Sequence, residues 1–226
     1  MKSILLILGA VSVVGAYLTF NSQDSVGDSV TLTQVEGQPD SNSVDVATEP
    51  TTTPGIAIFA GGCFWCVESD FEKLEGVSEA ISGYTGGDLL NPSYKQVTYE
   101  ETGHFEAAQI FFDPTIVSYR TLVDYFFRTI DPLDDGGQFC DRGSSYKTAI
   151  FVSSPDQRAD AEAAKEEAEQ ILGEEIVTPI LDAKKFWIAE SYHQDYYKRN
   201  PIRYRYYRTG CRRDARLAEL WGNPKK

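Results

Sequence analysis

The sequence predicts a domain of the α+β class, in which helices cover a mixed or antiparallel sheet. Short apolar runs typical of strands alternate along the chain with longer segments of helical periodicity. Stretches rich in Asn, Asp, Gly and Pro, which favour turns, separate these segments. The chain has 226 residues, enough for one sizeable core with residues left over.

The N-terminal part of the chain has a different composition from the rest. Residues 1–20 are predicted to be a signal peptide or a membrane anchor, because residues 4–20 are apolar apart from two hydroxyl residues and small residues stand at 14–16. Residues 21–54 hold six acidic residues and no Lys or Arg, which is typical of a disordered acidic linker. Both interpretations place the folded domain, residues 55–226, outside the cytoplasm: exported, periplasmic or membrane-anchored.

Charge and cysteine spacing exclude several function classes. The net charge of −13 disfavours nucleic acid and anionic membrane surfaces as partners. Of the four cysteines, only Cys63 and Cys66 are close in sequence, and no second Cys/His pair has the spacing of zinc ligands. We therefore predict no metal site.

The strongest chemical signal is the stretch Gly-Gly-Cys-Phe-Trp-Cys at residues 61–66. It follows an apolar run at residues 56–60 that is typical of a buried strand, and the two glycines permit a tight turn. Cys63 would lie in the first turn of the next helix, where unpaired backbone N–H groups stabilise an anion. We therefore expect a lowered pKa and a reactive thiolate at Cys63. The buried face of this helix is formed by Val67, Phe71 and Leu74.

The remaining elements are predicted from the same signals. Strands are expected at residues 77–84, within 103–114, and at 148–152, 175–180 and 186–189. Helices are expected at 118–130, with Ser118 as N-cap, and from 154 to 172, ended by Gly173. Loops are expected at 88–94 and 136–146, and an amphipathic segment through Leu217, Leu220 and Trp221.

The alternation of residues along the strand expected within 103–114 draws attention to one carboxyl group. Glu106, Ala108 and Ile110 alternate onto one face of this strand. A carboxyl group among small and apolar neighbours has a raised pKa. Glu106 is therefore a candidate acid.

The motifs resemble the signature of the peptide methionine sulfoxide reductase A family over residues 55–200. The matching pieces are Gly62-Cys63-Phe64-Trp65 with Glu68, Gly83-Tyr84-Thr85-Gly86-Gly87, Asn91-Pro92-Ser93-Tyr94, Gly103-His104-Phe105-Glu106-Ala107, Asp141-Arg142-Gly143 with Tyr146, and Glu190 with Tyr192-His193-Gln194. The tail after Pro201 departs from the best-known members, because it is rich in Arg and Tyr and holds the single Cys211.

The resemblance implies a ferredoxin-like two-layer plait and the reduction of methionine S-sulfoxide in proteins and peptides, or of the free or blocked amino acid, as repair under oxidative stress. By this match Cys63 attacks the sulfur, Glu106 supplies a proton, and Tyr94 and Tyr146 face the oxygen. Asp141 orders the site. The aromatic pair Phe64 and Trp65 encloses the methyl group, whereas His104 and His193 are structural. The match implies no cofactor.

The sulfenic acid left on Cys63 must be resolved by another thiol. Cys66 is the preferred candidate because it lies one helical turn away. Cys211 could arrive on the C-terminal segment, and Cys140 is next to Asp141. Thioredoxin or an exported thioredoxin-like protein is the expected electron donor, oxidised proteins or peptides are the expected substrates, and the enzyme is expected to be a monomer.

Two other functions fit parts of the sequence. A thioredoxin-type thiol–disulfide oxidoreductase shares the strand, the C-x-x-C pair and the helix, but it gives Glu106 and the tyrosine loops no role. An exported binding domain would use the cysteines as buried core residues or structural disulfides.

Overall fold

In the computed structural model, residues 53–222 are described. The apolar stretch at residues 4–20, and the linker apart from positions 53 and 54, lie outside this part of the chain. Within residues 53–222, no helix combines the length and apolar character needed to cross a membrane.

A six-stranded mixed sheet forms the centre of the domain. Its order is β7-β6-β1-β3-β2-β8, and every neighbouring pair is antiparallel except β6 with β7. The strands are β1 Gly55–Gly61, β2 Val77–Thr85, β3 Phe105–Phe112, β6 Thr148–Val152, β7 Ile180–Asp182 and β8 Trp187–Ile188, and a separate small hairpin pairs β4 Gly137–Gln138 with β5 Asp141–Arg142.

Seven α-helices complete the described part of the chain: α1 Phe64–Phe71, α2 Tyr94–Tyr99, α3 Tyr119–Thr129, α4 Pro155–Leu172, α5 Tyr196–Arg199, α6 Pro201–Gly210 and α7 Arg213–Trp221. The main core packs α1, α3 and α4 on one face of the sheet, with Phe59 stacked between Phe71 and Phe126 at centroid distances of 5.1 and 4.8 Å. The α+β class is therefore confirmed.

Local sequence signals explain where the helices begin and end. The side chains of Ser118 and Ser154 each accept a hydrogen bond from a backbone N–H of the first turn, in α3 and α4. Gly173 ends α4 in the left-handed conformation, with φ 69°. These helices match their predicted positions to within one residue.

Several predicted boundaries were wrong. Residues 175–179 form no strand, because their backbone donors are used elsewhere: Ile176 N–H donates to the Glu169 side chain and Val177 N–H to the Pro132 carbonyl, at 3.0 and 2.9 Å. Helix α1 ends at Phe71, so Leu74 lies in the following turn, although it still packs on the core.

Three helices of the described chain, α2, α5 and α6, were not predicted. Tyr94, placed in a loop from its Asn-Pro neighbourhood, begins α2, where Ser93 and Gln96 form a capping box. Pro201, at which the chain departs from the family pattern, is the first residue of α6. Proline fits the first helical position, because the N–H that it lacks has no helical partner there.

Candidate active site

The turn between β1 and α1 positions the first candidate nucleophile. Gly62 has φ 77°, and a Cβ atom there would collide with the side chain of Gln138, so only glycine fits. Cys63 is the N-cap residue of α1 and is 6% exposed, and Cys66 is 1% exposed. The sequence therefore placed Cys63 correctly at the helix start.

The expected low pKa of Cys63 is wrong for this resting state. Burial raises the pKa of the Cys63 thiol well above its usual value, and the Cys66 sulfur, to which it donates a hydrogen bond, raises it further. That hydrogen bond lowers the pKa of Cys66 to about 7, with help from the guanidinium groups of Arg213 and Arg208. The N–H of Phe64, at the start of α1, donates instead to the carboxyl group of Glu106, at 3.1 Å.

Glu106 lies on β3 beside the start of α1 and is 2% exposed. Burial raises the pKa of its carboxyl to about 8, and the nearby charge of Asp141 adds to the increase. Hydrogen bonds from the Phe64 N–H and the Tyr146 hydroxyl act in the opposite direction. At neutral pH the carboxyl of Glu106 is therefore mostly protonated, as its position on the strand predicted.

Tyr94 and Tyr146 come from separate elements and meet next to Glu106. Tyr94 begins α2, and its N–H donates to Glu190 at 2.9 Å, while Tyr146 ends a short 3₁₀ turn, Ser144–Tyr146. The two hydroxyl groups interact with each other, and burial followed by the charge of Glu106 raises the pKa of both. Both phenols are therefore protonated donors at neutral pH.

Asp141 approaches the same group from the β4–β5 hairpin. Burial raises the pKa of its carboxyl, whereas a hydrogen bond donated by the Tyr207 hydroxyl lowers it. Its charge acts on Cys63 as well as on Glu106. The structure thus brings together all five residues that the family motifs singled out for catalysis.

The aromatic pair after Cys63 divides into a core residue and a partly exposed one. Phe64 is 1% exposed and packs against Tyr84, with ring centroids 5.9 Å apart. Trp65 is half-buried and stacks on Tyr196 at 3.7 Å. Its indole N–H donates to Nδ1 of His193 at 3.2 Å, and burial lowers the pKa of His193 to about 4. His193 is therefore neutral and holds the Trp65 ring, a structural role.

The other two cysteines are joined to each other. Cys140 and Cys211 form a disulfide with Cα atoms 5.1 Å apart, so in this state neither offers a free thiol. The free cysteines of the described chain are Cys63 and Cys66. This pairing was not predicted, because spacing cannot show which distant cysteines meet in the fold.

Residues of the C-terminal tail that the sequence analysis left without a role also reach the site. Tyr204 packs against Cys63 and Cys66, and the ring of Tyr207 meets that of Trp65 edge to face, at 6.1 Å. Arg213 is 2% exposed and donates to the carbonyl groups at positions 61 and 129. The unusual density of Arg and Tyr after Pro201 was the available signal.

One group of carboxylates in the described chain has atoms close enough to hold a cation: Glu68, Glu72 and Asp195. The ammonium group of Lys198 already lies 2.6 Å from Glu72 and 2.7 Å from Asp195. Burial raises the pKa of Glu68 to about 7, and its two oxygens accept hydrogen bonds from Ser82 and the N–H of Asp195. These contacts balance the cluster without a metal ion and tie α1 to β2.

A thiol pair at a helix start, a protonated carboxyl and two phenol donors define a thiol-dependent oxidoreductase. The sequence model of the family described as "Peptide methionine sulfoxide reductase" matches residues 55–225. Peptide methionine sulfoxide reductase MsrA 2 of Rhizobium meliloti is 56% identical over 170 residues, which are 75% of this chain and 85% of that protein.

Solved structures agree with the sequence comparison. The crystal structure of Mxr1 from Saccharomyces cerevisiae in reduced form matches with TM-score 0.63 and 31% identity, over 66% of this chain and 87% of that one. Methionine sulfoxide reductase A of Corynebacterium diphtheriae matches with TM-score 0.60 and 28% identity, over 69% and 78% of the two chains. The chain belongs to the peptide methionine sulfoxide reductase A family: it reduces methionine sulfoxide with thiol and disulfide chemistry. The thioredoxin-type alternative is not favoured.

Proposed function

We propose that Cys63 is the nucleophile of this reaction and that Glu106, Tyr94 and Tyr146 are its proton donors. One observation carries the proposal: the start of α1 brings the two groups together. Cys63 is the N-cap residue of this helix, and the N–H of the next residue, Phe64, donates to the carboxyl group of Glu106. Burial raises the pKa of that carboxyl group to about 8. A sulfoxide requires this combination, because its sulfur needs a soft nucleophile while its oxygen must accept protons.

The donors activate the bound sulfoxide. Hydrogen bonds from Glu106, Tyr94 and Tyr146 to the oxygen withdraw electrons from the sulfur and make it electrophilic. The Cys63 thiol, which is protonated at rest, then passes its proton to the Cys66 sulfur to which it is hydrogen-bonded. Attack by Cys63 and protonation of the oxygen yield the thioether of methionine and a sulfenic acid on Cys63.

Trp65 and Phe64 supply the apolar surface for the methyl group. Phe64 is buried in the core, so it packs behind the pocket and does not face the substrate. Of the pair, the half-buried Trp65 is the side chain that the substrate can contact. Its ring is held by Tyr196 and His193 on the protein side. The resemblance to the family implies that the S-epimer of the sulfoxide is the substrate.

Cys66 resolves the sulfenic acid. It is the free cysteine next to Cys63, and in the reduced enzyme its pKa of about 7 lets its sulfur take up the proton of Cys63. When Cys66 attacks the sulfenic acid, this proton leaves with the hydroxyl group of Cys63. This attack releases water and forms the Cys63–Cys66 disulfide. Cys140 and Cys211 rank below it because they are already bonded to each other.

A dithiol then returns the pair to the reduced state. Thioredoxin, or an exported thioredoxin-like protein, is the proposed donor, and it supplies two electrons and two protons by thiol–disulfide exchange. Residues 1–20 would carry the domain out of the cytoplasm, as their apolar composition suggests. Fractionation of cells that express the full chain, compared with a variant that begins at residue 21, tests this location.

The fold that carries the site is proposed to be a ferredoxin-like two-layer plait. The sheet order β6-β1-β3-β2 supports this, with α1 following β1 and α3 following β3. The enzyme is further proposed to act as a monomer, which size-exclusion chromatography with light scattering tests.

The decisive experiment is turnover of the separated sulfoxide epimers of a blocked methionine, with a dithiol as reductant. Methionine should form from the S-epimer alone. After one turnover without reductant, peptide mass spectrometry should find a Cys63–Cys66 disulfide. A Cys63–Cys211 bridge would reject Cys66 as the resolving residue, and absence of turnover on both epimers would reject the proposed chemistry.

A further inference from the structure

Helix α6 forms one wall of the sulfur site. Tyr204 and Tyr207, three residues apart on this helix, both turn towards Cys63 and Cys66. Arg208, on the same helix, binds Asp70 of α1 through both carboxylate oxygens, at 2.8 and 3.0 Å. The ion pair is largely buried, with 16% and 6% of the side chains exposed, so it anchors α6 firmly on the helix that carries the thiols.

Tyr207 is the residue of this wall that contacts the carboxylate of Asp141. Its hydroxyl donates to Oδ2 of Asp141, and its ring packs against Trp65. Asp141 lies close enough for its charge to act on Glu106 and Cys63. A phenol that fixes this carboxylate therefore also fixes the charge beside the proton donor and the nucleophile.

The Cys140–Cys211 disulfide joins the β4–β5 hairpin to the end of helix α6 a second time. Cys140 immediately precedes Asp141, and Cys211 follows Tyr207 by one helical turn, with the Cys211 N–H donating to the Tyr207 carbonyl at 2.9 Å. The covalent link and the hydrogen bond therefore connect neighbouring points of the same two segments. Arg213, just after the disulfide, is buried over the ring of Phe139 at 4.5 Å and strengthens this junction.

We infer that Tyr207 is a positioning residue of the reductase reaction, which acts through Asp141, and that the Cys140–Cys211 disulfide fixes the helix that carries it. The inference rests on the role proposed above for Asp141 and Cys63. It gives the second cysteine pair a task other than resolving the sulfenic acid. It also gives the Arg- and Tyr-rich tail a task in the first chemical step.

A double-mutant cycle on the first turnover tests the role of Tyr207. The full-length protein is used with the Cys140–Cys211 bond intact and with Cys63 and Cys66 as thiols, verified by mass spectrometry. Saturating blocked methionine S-sulfoxide is added without reductant, and the burst of methionine is timed. Tyr207→Phe should slow the burst about tenfold, the size expected for a lost hydrogen bond to a charged group. The sulfoxide concentration at half-maximal rate should change less than about twofold, because Tyr207 acts on the chemical step.

The second arm of the cycle separates positioning from a general loss of structure. If Tyr207 acts through Asp141, the variant Tyr207→Phe/Asp141→Asn should be no slower than Asp141→Asn alone. Tyr206→Phe is the matched control: Tyr206 is the neighbouring tyrosine of α6, 84% exposed, and its loss should leave the burst unchanged. A wild-type burst rate in Tyr207→Phe would overturn the inference. So would a double variant slowed by the product of the two single-variant factors, because the two residues would then act independently.

The variant Cys140→Ser/Cys211→Ser tests the disulfide independently. Its burst should be slowed to a similar degree as that of Tyr207→Phe, and adding Tyr207→Phe should slow it little further. An unchanged burst in the disulfide-free variant would overturn the role of the disulfide. A wild-type protein that forms no methionine would defeat the proposed function itself, whereas a wild-type burst insensitive to Tyr207 would defeat only this inference.

Discussion

The two cysteine pairs of this protein have the same chemistry but opposite states. Cys63 and Cys66 are one helical turn apart and remain thiols, buried under aromatic rings. Cys140 and Cys211 are 71 residues apart in sequence and form a disulfide that lines an open cavity of about 350 Å³. The first pair lies among groups that hold and pass protons, and the second joins two segments of the chain.

The difference shows that surroundings rather than residue type decide what a cysteine does. Near Cys63 lie two proton donors, Glu106 and Tyr94, and a second sulfur. Near Cys140 and Cys211 lie the charged side chains of Asp131, Asp134, Arg212, Arg216 and Glu219, which support structure through ion pairs such as Arg216 with Asp131 at 2.7 Å. Four experiments can sharpen or break this comparison.

The largest effect is expected for Cys63→Ser. A hydroxyl group is a poor nucleophile for sulfur, so reduction of methionine sulfoxide should fall by about 10⁴-fold or more. The substitution is nearly isosteric, so the melting temperature should stay within about 3 °C of wild type. Loss of the folded state, measured by circular dichroism, would instead make Cys63 a structural residue.

The next effect is expected for Glu106→Gln, which keeps the shape of the side chain and removes its proton. Reduction should slow by about 10²- to 10³-fold, the usual contribution of a general acid. In wild type the rate should fall as the pH rises through about 8, because the acid form of Glu106 is lost there. This alkaline limb should disappear in the variant, which has no carboxyl to titrate.

A rate that still falls near pH 8 in Glu106→Gln would assign that limb to another group. The acid limb supplies the internal control. The pKa of Cys66 is about 7 because the Cys63 thiol donates to its sulfur, so the rate should rise with pH through this region in both proteins. Only the alkaline limb is therefore specific to Glu106.

The variant Cys140→Ser/Cys211→Ser should lose stability because the disulfide closes a long loop. For cysteines 71 residues apart, the free energy of unfolding should decrease by about 4 kcal/mol. Denaturant unfolding of the oxidised wild type against the variant measures the loss. Wild type kept in a strong dithiol should match the variant, and Cys66→Ser, which removes no cross-link, should unfold much closer to oxidised wild type.

The smallest effect concerns the order in which the thiols react. Cys63 and Cys66 are 6% and 1% exposed, so iodoacetamide should label them slowly in the native protein. After mild reduction, Cys140, which is exposed, should be labelled about tenfold faster than either. Peptide mass spectrometry over time gives the order, and faster labelling of the buried pair would contradict the contrast drawn here.

The sequence predicted the parts of the site that depend on local pattern. Period-two alternation in β3 placed Glu106 on the covered face, and the glycine pair before Cys63 indicated the turn that begins α1. Family motifs then named Tyr94, Asp141 and Tyr146 as partners of Cys63. The strand phase and the helix start agree with the structure, because a strand or a helix start constrains its residues through neighbours only a few positions away.

Three features of the site were not predictable in this way. The pKa of Cys63 was expected to be low because the helix start was considered alone, but burial raises it, and the N–H of Phe64 is used by Glu106. The bond between Tyr207 and Asp141 spans 66 residues, and the disulfide spans 71. Desolvation and long-range pairing depend on how all the elements pack.

The order of residues alone therefore specified a strand, a glycine turn and a cysteine at a helix start, since backbone conformation and side-chain periodicity are short-range properties. Only the packed molecule decided which thiol keeps its proton, which cysteines pair, and which tyrosine holds Asp141. Electrostatic energies in a dry interior depend on every group within a few ångströms, and those groups come from distant parts of the chain.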